Sequence, residues 1–201
     1  MAISDIEHLF RAPYKIHRHS SRDKITIEEH NETTLIKKLT FKELPYNHFA
    51  VKMDKETHIP ICKFFDCNCS LDINKGVDCI LFLEYSNNDN VVILCDLKSK
   101  NDSDFCRKIK NTTAFLKYLN AIFVENSLPP IENYSFISLV CKRRPMGKSC
   151  IATQMPPSII PCPGARLNKL AVMANSDSVI VKMPDILNVF HSRYTSPSCL
   201  Y

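Results

Sequence analysis

Two apolar runs, each bordered by an acidic residue, constrain the fold of this chain more than any other feature. The first run, 79–83, follows Asp78, and the second, 91–95, precedes Asp96. The turn-forming residues Ser-Asn-Asn-Asp at 86–89 lie between them. Apolar runs of this length joined by such residues are typical of a β-hairpin made of two core strands.

The two acidic residues are predicted to face each other across this hairpin. Side chains alternate along a strand, so Asp78 shares a face with Ile80. By the same rule Asp96 shares a face with Leu94 and with Lys98. If the turn is centred on the middle of its cluster, Asp78 lies opposite Asp96 and Lys98 lies one step beyond. Such a cluster is costly to desolvate unless a cation or a substrate compensates its charge.

Val77-Asp78 and Asp96-Leu97-Lys98 together resemble the signature of the PD-(D/E)xK nuclease superfamily, which includes many restriction endonucleases. The family pattern is an acid at the start of one strand, an acid-x-Lys on its antiparallel neighbour, and then a helix. Valine stands at position 77 instead of proline, and aspartate stands at position 96, where glutamate is commoner. The resemblance covers residues 70–126. It implies an α/β fold with a restriction endonuclease-like core, in which helices flank a central mixed β-sheet.

The resemblance also implies a metal-dependent nuclease and assigns its residues. Asp78 and Asp96 would bind Mg²⁺ or Mn²⁺, with the carbonyl of Leu97 as a third ligand, because carboxylate oxygens are ligands that Mg²⁺ prefers. Lys98 would orient the attacking water or help to deprotonate it, and would stabilise developing negative charge.

Two further acids were considered for this site. Many family members add a glutamate from an earlier helix, and Glu43 is the candidate here. Glu84 shares the Asp78 face but lies six residues further along, roughly 20 Å at strand rise, so it is excluded.

Residues 102–126 are predicted to form a long helix that ends before Pro129-Pro130. Its apolar stripe recurs at helical spacing and indicates contact with the sheet; the stripe is Phe105, Ile109, Thr112, Leu116, Leu119 and Phe123. The basic residues Arg107, Lys108, Lys110 and Lys117 are placed away from the middle of the stripe. They form either an ordinary solvated face or a set of phosphate contacts. Lys108 or Asn111 could match the polar residue that this helix often carries near the site in the family.

A second basic group, Lys142, Arg143 and Arg144, ends a predicted core strand at 134–141. It is either a solvated strand end or a further set of nucleic-acid contacts. The proline-rich segment 145–175 that follows is predicted to form a protein–protein interface, with one short helical stretch at 165–174.

The remaining elements complete a three-part organisation. A hairpin is predicted within 24–41, residues 43–60 are predicted to be irregular, and a strand at 178–183 precedes a short helix at 185–190.

The predicted domain has three parts. They are an N-terminal extension of the core (1–60), the catalytic core (61–142), and a proline-rich loop with a C-terminal strand and helix that complete the same domain (143–201).

Composition favours a soluble, cytoplasmic protein. The 201 residues include 45% hydrophobic residues, and the net charge of +5 favours polyanions only mildly. No apolar run approaches the ~20 residues of a membrane span, and the first residues lack a signal-peptide core, so no membrane association is expected.

The chain has ten cysteines, and we expect them to be free thiols in a reducing compartment. The spacing of Cys62, Cys67 and Cys69, completed by His58 or Cys79, could hold zinc, but it lacks paired C-x-x-C knuckles.

The leading hypothesis is a magnesium-dependent endonuclease that acts on nucleic acid, with DNA preferred to RNA. The protein would act as the effector subunit of a bacterial anti-phage defence or DNA-processing complex. The expected partner is an ATPase, another subunit of the complex, or a second copy of the chain. The alternatives are a catalytically silent nuclease-fold adaptor and a zinc-stabilised binding module around Cys62–Cys79.

Overall fold

The structure is a computed structural model, and it describes residues 3–10, 12, 15–16, 23–30, 32, 34–53, 76–85, 90–97, 105–128, 130–131, 134–144, 157–161 and 169–194. Its helices are α1 (Ile3–Leu9), α2 (Phe105–Glu125) and α3 (Met183–Tyr194). Its strands are β1 (Ile25–Glu28), β2 (Lys38–Lys42), β3 (Asn47–Lys52), β4 (Cys79–Glu84), β5 (Val91–Leu97), β6 (Ser135–Arg143), β7 (Ser158–Pro161), β8 (Lys169–Ala174) and β9 (Ser178–Lys182).

A six-stranded mixed sheet forms the centre of the molecule, in the order β3-β4-β5-β6-β8-β7. β3, β4 and β5 are antiparallel neighbours, whereas β5, β6 and β8 run parallel and β7 is antiparallel at the edge. Helix α2 connects β5 to its parallel neighbour β6, as a parallel connection requires. All seven residues of β5 are buried, so this strand lies at the middle of the core.

One face of the central sheet packs against a smaller sheet and α3. The smaller sheet has the order β1-β2-β9, with β1 and β2 antiparallel and β9 parallel to β2. A single apolar cluster joins it to the central sheet, with Phe41, Val181 and Phe190 packed together with Leu81 and Leu139.

The opposite face packs against α1 and α2. Ile6 of α1 and Leu116 and Phe123 of α2 lie in one cluster with Ile80 and Leu94 of the central sheet. The predicted α/β class, with mixed sheets flanked by helices, is confirmed.

Most of the predicted elements are present. β1 and β2 form the N-terminal hairpin, β6 and β9 match the two late strands, and α2 begins and ends close to the predicted bounds within the described residues. α3 is longer than the predicted helix at 185–190. The N-terminal part supplies β3 and the C-terminal part supplies β7 and β8, so all three predicted parts contribute strands to the central sheet.

Two predictions of secondary structure are wrong. Residues 47–52, within the segment predicted to be irregular, form β3, whose four central residues are buried. Because both faces of β3 are covered, it lacks the alternation that identifies an exposed strand. Residues 169–174, predicted to be helical, form β8 between β6 and β7. Its Lys, Leu, Ala and Met residues favour a helix, but pairing on both sides and burial outweigh that preference.

Candidate active site

The β4–β5 hairpin brings Asp78 and Asp96 together. Cys79 pairs with Cys95 in the antiparallel register, so the residue before β4 lies opposite the residue that follows Cys95. Ile80 and Leu94, on the same face as the two acids, pack under α2. Asp78 is 3% exposed and Asp96 is 0% exposed, so both carboxylates are buried on the α2 face.

Helix α2 supplies the groups that hold the start of β4. The hydroxyl of Thr112 accepts a hydrogen bond from the backbone N–H of Val77 at 3.0 Å. One helical turn earlier, the ammonium of Lys108 donates to Asp78 Oδ1 at 2.9 Å and to Asp96 Oδ1 at 2.8 Å. Residues four apart lie on the same helix face, so Thr112 and Lys108 both reach the sheet. α2 therefore fixes both the backbone before Asp78 and the charge between the acids.

The backbone around the site orients the Asp78 carboxylate further. The N–H of Leu97 donates to Asp78 Oδ2 at 2.5 Å, and the N–H of Met53 donates to the Asp78 carbonyl at 3.0 Å. Lys108 bonds to one oxygen of each acid, so the separation of those oxygens cannot exceed the sum of the two bond lengths. That limit lies within the ~6 Å over which two carboxylates can share one metal ion.

The electrostatics of the pair are dominated by burial. Burial, followed by the charge of Asp96, raises the pKa of Asp78 to about 7, although Lys108 and the Leu97 N–H act in the opposite direction. Burial opposes the charged form of Lys108, but the charges of Asp78 and Asp96 outweigh it and raise the pKa of that ammonium. Two carboxylates and one ammonium leave one excess negative charge in a buried place. A proton or an added cation would stabilise this arrangement.

This donor set fits a hard divalent cation in its chemistry, since it consists of carboxylate oxygens. The two carboxylates would need further ligands, because no group of three or more His, Cys, Asp or Glu side chains suited to a metal occurs among the described residues. Leu97, the predicted third ligand, ends β5 directly after Asp96 and already uses its N–H to bind Asp78.

The other predicted residues of the site fall in different places. Lys98 lies outside the described residues, so its predicted role stays a prediction. Lys108, one of the two candidates for the polar residue of α2 near the site, lies at the acids, because its ammonium contacts both of them. Asn111 is half-buried on α2 and Lys110 is exposed.

The basic group at the end of β6 is divided between two environments. Lys142 is half-buried and shares a sheet face with Val140, the register partner of Asp96. Arg143 is exposed. Arg144 donates to the Ser158 hydroxyl at 2.8 Å, so it links β6 to the edge strand β7.

The structure also separates the two additional acids from the site. Glu84 lies at the other end of β4, opposite Asn47, in agreement with its exclusion. Glu43 belongs to no helix, has a positive φ of 59°, and forms an ion pair with Lys182 at 2.6 Å. The prediction that Glu43 is a helix acid of the site is therefore wrong.

The zinc prediction falls largely on residues that the structure does not describe. His58, Cys62, Cys67 and Cys69 all lie outside the described residues. Cys79 is fully buried in the apolar cluster on the opposite face of the sheet from the acids. Burial, with the charge of Asp78, raises the pKa of its thiol, so it behaves as a small apolar side chain.

The resemblance offers Lys108 or Asn111 as the polar residue of α2 near the site, but the contact of Lys108 with both acids was not predicted. A signal for it was present, because position 108 lies three residues after Phe105 and four before Thr112, which are both buried. Helical spacing therefore puts position 108 on the buried face. A lysine on such a face needs an acidic partner, and the two acids of the hairpin were the candidates.

Comparison with known proteins adds no relative: no family model, curated protein or solved structure matches this chain significantly. Within the described residues, no helix is both long and apolar enough to cross a membrane.

Proposed function

We propose that this protein is a metal-dependent nuclease of the PD-(D/E)xK type, built on a restriction endonuclease-like core. The observation that carries the proposal is the pairing of Asp78 with Asp96 on adjacent antiparallel strands, with both carboxylates buried and joined by Lys108. The order of acid, strand, antiparallel strand with an acid near its end, and helix agrees with the family pattern. The parallel strand β6 beyond the helix completes a mixed sheet, as the resemblance implies.

In this proposal Asp78 and Asp96 hold Mg²⁺ or Mn²⁺. The bound ion would neutralise the scissile phosphate and lower the pKa of a water molecule, which is the chemistry that phosphodiester hydrolysis requires. The two carboxylates support cation binding, because carboxylate oxygens are ligands that Mg²⁺ prefers and Lys108 brings one oxygen of each acid to the same place.

Lys108 has a distinct role in the proposal. The neighbouring acids raise the pKa of its ammonium, so Lys108 stays charged near neutral pH and does not act as a general base. A fixed ammonium between the carboxylates orients them in the absence of a cation, and it is placed to stabilise negative charge on a phosphate. Lys98 keeps the water-orienting role that the resemblance gives to it.

The proposal extends to the biological setting. DNA is proposed as the substrate ahead of RNA, and the chain acts as an effector subunit of a bacterial anti-phage or DNA-processing complex with an ATPase or another subunit. The support for this setting is the resemblance to the PD-(D/E)xK superfamily.

The test is cleavage of plasmid DNA and of RNA by the purified chain in Mg²⁺, in Mn²⁺ and in EDTA. Asp96→Asn keeps the side-chain volume and removes one carboxylate of the pair. Glu84→Gln is its matched control, because Glu84 lies at the far end of the hairpin. We expect cleavage to require the metal, to be lost in Asp96→Asn and to persist in Glu84→Gln. Cleavage that is equal in the two variants would overturn the proposal.

A second candidate function is a catalytically silent adaptor of the same fold. The position of Lys108 favours it, because its ammonium bonds to both carboxylates at 2.9 and 2.8 Å and could replace the metal as a permanent counter-ion. The two candidates differ in metal affinity. A ligand that binds the folded state at a hundred times its Kd stabilises it by about 2.7 kcal/mol. A thermal melt that Mg²⁺ and Mn²⁺ leave unchanged, in a protein that cleaves nothing, would favour the adaptor.

A further inference from the structure

A cleft of about 820 Å³ opens beside α2 on the face of the sheet that carries the acids. Adjacent strands form its floor and far edge: Leu94 and Ser138 pair in the floor, and Lys169, the partner of Ser138, lies at the far edge. Phe136 extends the floor along β6. One flank of α2 forms the wall at helical spacing, with Cys106, Lys110, Thr113, Lys117 and Asn120.

The cleft adjoins the acidic pair. Asp96 pairs with Val140, and the Leu94–Ser138 pair is the next pair on the same face. The two pairs are two residues apart along the strands, roughly 7 Å. A group in the cleft would therefore lie next to a phosphate positioned at Asp78 and Asp96.

The chemistry of the cleft is basic around an apolar floor. Lys110 and Lys117 are exposed on the wall, and no acidic side chain occurs among the described lining residues. Lys169 is held at the other side, where its ammonium donates to Cys106 Sγ at 3.4 Å and lies 5.9 Å from the centre of the Phe105 ring. Three ammonium groups around an apolar floor suit an anionic ligand that also has a flat apolar part.

Ser138 adds a polar group to the cleft. Its side chain is 3% exposed and lines the cleft. A hydroxyl at this position can donate a hydrogen bond to a ligand in the cleft or accept one from it.

We infer that the cleft binds one unpaired nucleotide of the substrate strand, with its base against Phe136 and its phosphate near Lys110 and Lys117. This inference rests on the proposed nuclease function and gives its substrate class, which is single-stranded nucleic acid or an unpaired end. Bases of a duplex are stacked and paired, so a duplex base cannot enter the cleft unless it is flipped out. An aromatic side chain beside a basic wall is the arrangement that single-strand binding proteins use.

Binding is measured by fluorescence anisotropy in EDTA, with short labelled oligothymidine and oligouridine, their duplexes, and an abasic oligonucleotide of equal length. The single strands are expected to bind more tightly than the duplexes and the abasic strand. Phe136→Leu keeps the apolar volume but removes the ring, and should weaken oligothymidine binding about tenfold without changing abasic binding. Equal affinity for single strand, duplex and abasic strand would overturn the inference.

Lys117→Ala tests the basic wall without altering the core, because Lys117 is exposed. The expected result is weaker binding and a salt dependence reduced by about one counterion. Lys182→Ala is the matched control, since Lys182 is exposed on β9 in the smaller sheet and pairs with Glu43. Equal losses in the two variants would indicate a general charge effect and would contradict the cleft.

The two proposals can fail separately. Because binding is measured without metal, tight single-strand binding without any cleavage would remove the nuclease function and leave the cleft. Cleavage that depends on Asp96 but not on the bases of the substrate would leave the nuclease and remove the cleft.

Discussion

Asp78, directly before β4, lies opposite Asp96 of β5, and one ammonium, that of Lys108, bonds to both. The three residues come from the β4–β5 hairpin and from α2, so the group forms only when the hairpin and α2 have packed together. When both acids are ionised, these three side chains together carry one negative charge inside the molecule. The predictions below follow from that charge and from the bonds that hold it.

Removal of Lys108 should destabilise the protein strongly. Lys108→Met keeps an unbranched apolar stem but leaves two buried carboxylates facing each other, and loss of one partner of a buried ion pair costs about 3–5 kcal/mol. The free energy of unfolding from urea titrations measures this. Lys117→Met, on an exposed position of the same helix, is the control and should change stability by less than about 0.5 kcal/mol. Equal small losses in both variants would show that Lys108 does not neutralise the pair.

The pH dependence of stability should show the raised pKa of Asp78. Its folded pKa of about 7 exceeds the ordinary value of 3.8, so the folded state holds a proton that the unfolded state releases. The contribution of Asp78 to the free energy of unfolding is therefore largest at low pH, and it declines as pH rises between these two values. Asp78→Asn should flatten that part of the profile, and Glu84→Gln should leave it unchanged. The difference in free energy of unfolding between wild type and Asp78→Asn should therefore fall as pH rises. A difference that rises over the same range would contradict the raised pKa of Asp78.

The hairpin and its opposed acids could be predicted from the sequence because they depend on local alternation and on one short turn. The contact of Lys108 with both acids depends on how α2 packs on the sheet, which is a tertiary arrangement that helical spacing alone does not specify. β3 and β8 could not be predicted from pattern, because strands buried on both faces lose the period of two that identifies a half-exposed strand. Lys98, which the sequence placed at the centre of the mechanism, lies outside the described residues.

Asp96→Asn should lower the pKa of Asp78 without unfolding the protein. The charge of Asp96 is the second largest cause of the raised Asp78 pKa, after burial, and the substitution removes it while Lys108 remains. The remaining Asp78–Lys108 pair is electrically neutral, so stability near neutral pH should be unchanged or higher. Carbon-detected NMR titration of the side-chain carboxyl groups measures the shift. An Asp78 carboxyl that titrates identically in wild type and in Asp96→Asn would show that the two acids are not coupled.

Thr112 should be required for the position of Asp78. Thr112→Val removes the hydroxyl that accepts the Val77 N–H and leaves a buried donor unsatisfied, which costs about 1–3 kcal/mol. Thr113→Val is a matched control on the same helix, because Thr113 is only half-buried and lines the cleft instead of the β4 start. Hydrogen exchange of the Val77 amide adds a local measurement, since that amide should lose protection in Thr112→Val and retain it in Thr113→Val. Because Val77 precedes Asp78, nuclease activity should fall with the loss of that protection, even under conditions where the variant remains folded. Unchanged protection of Val77 in Thr112→Val would mean that the helix does not hold this strand in place.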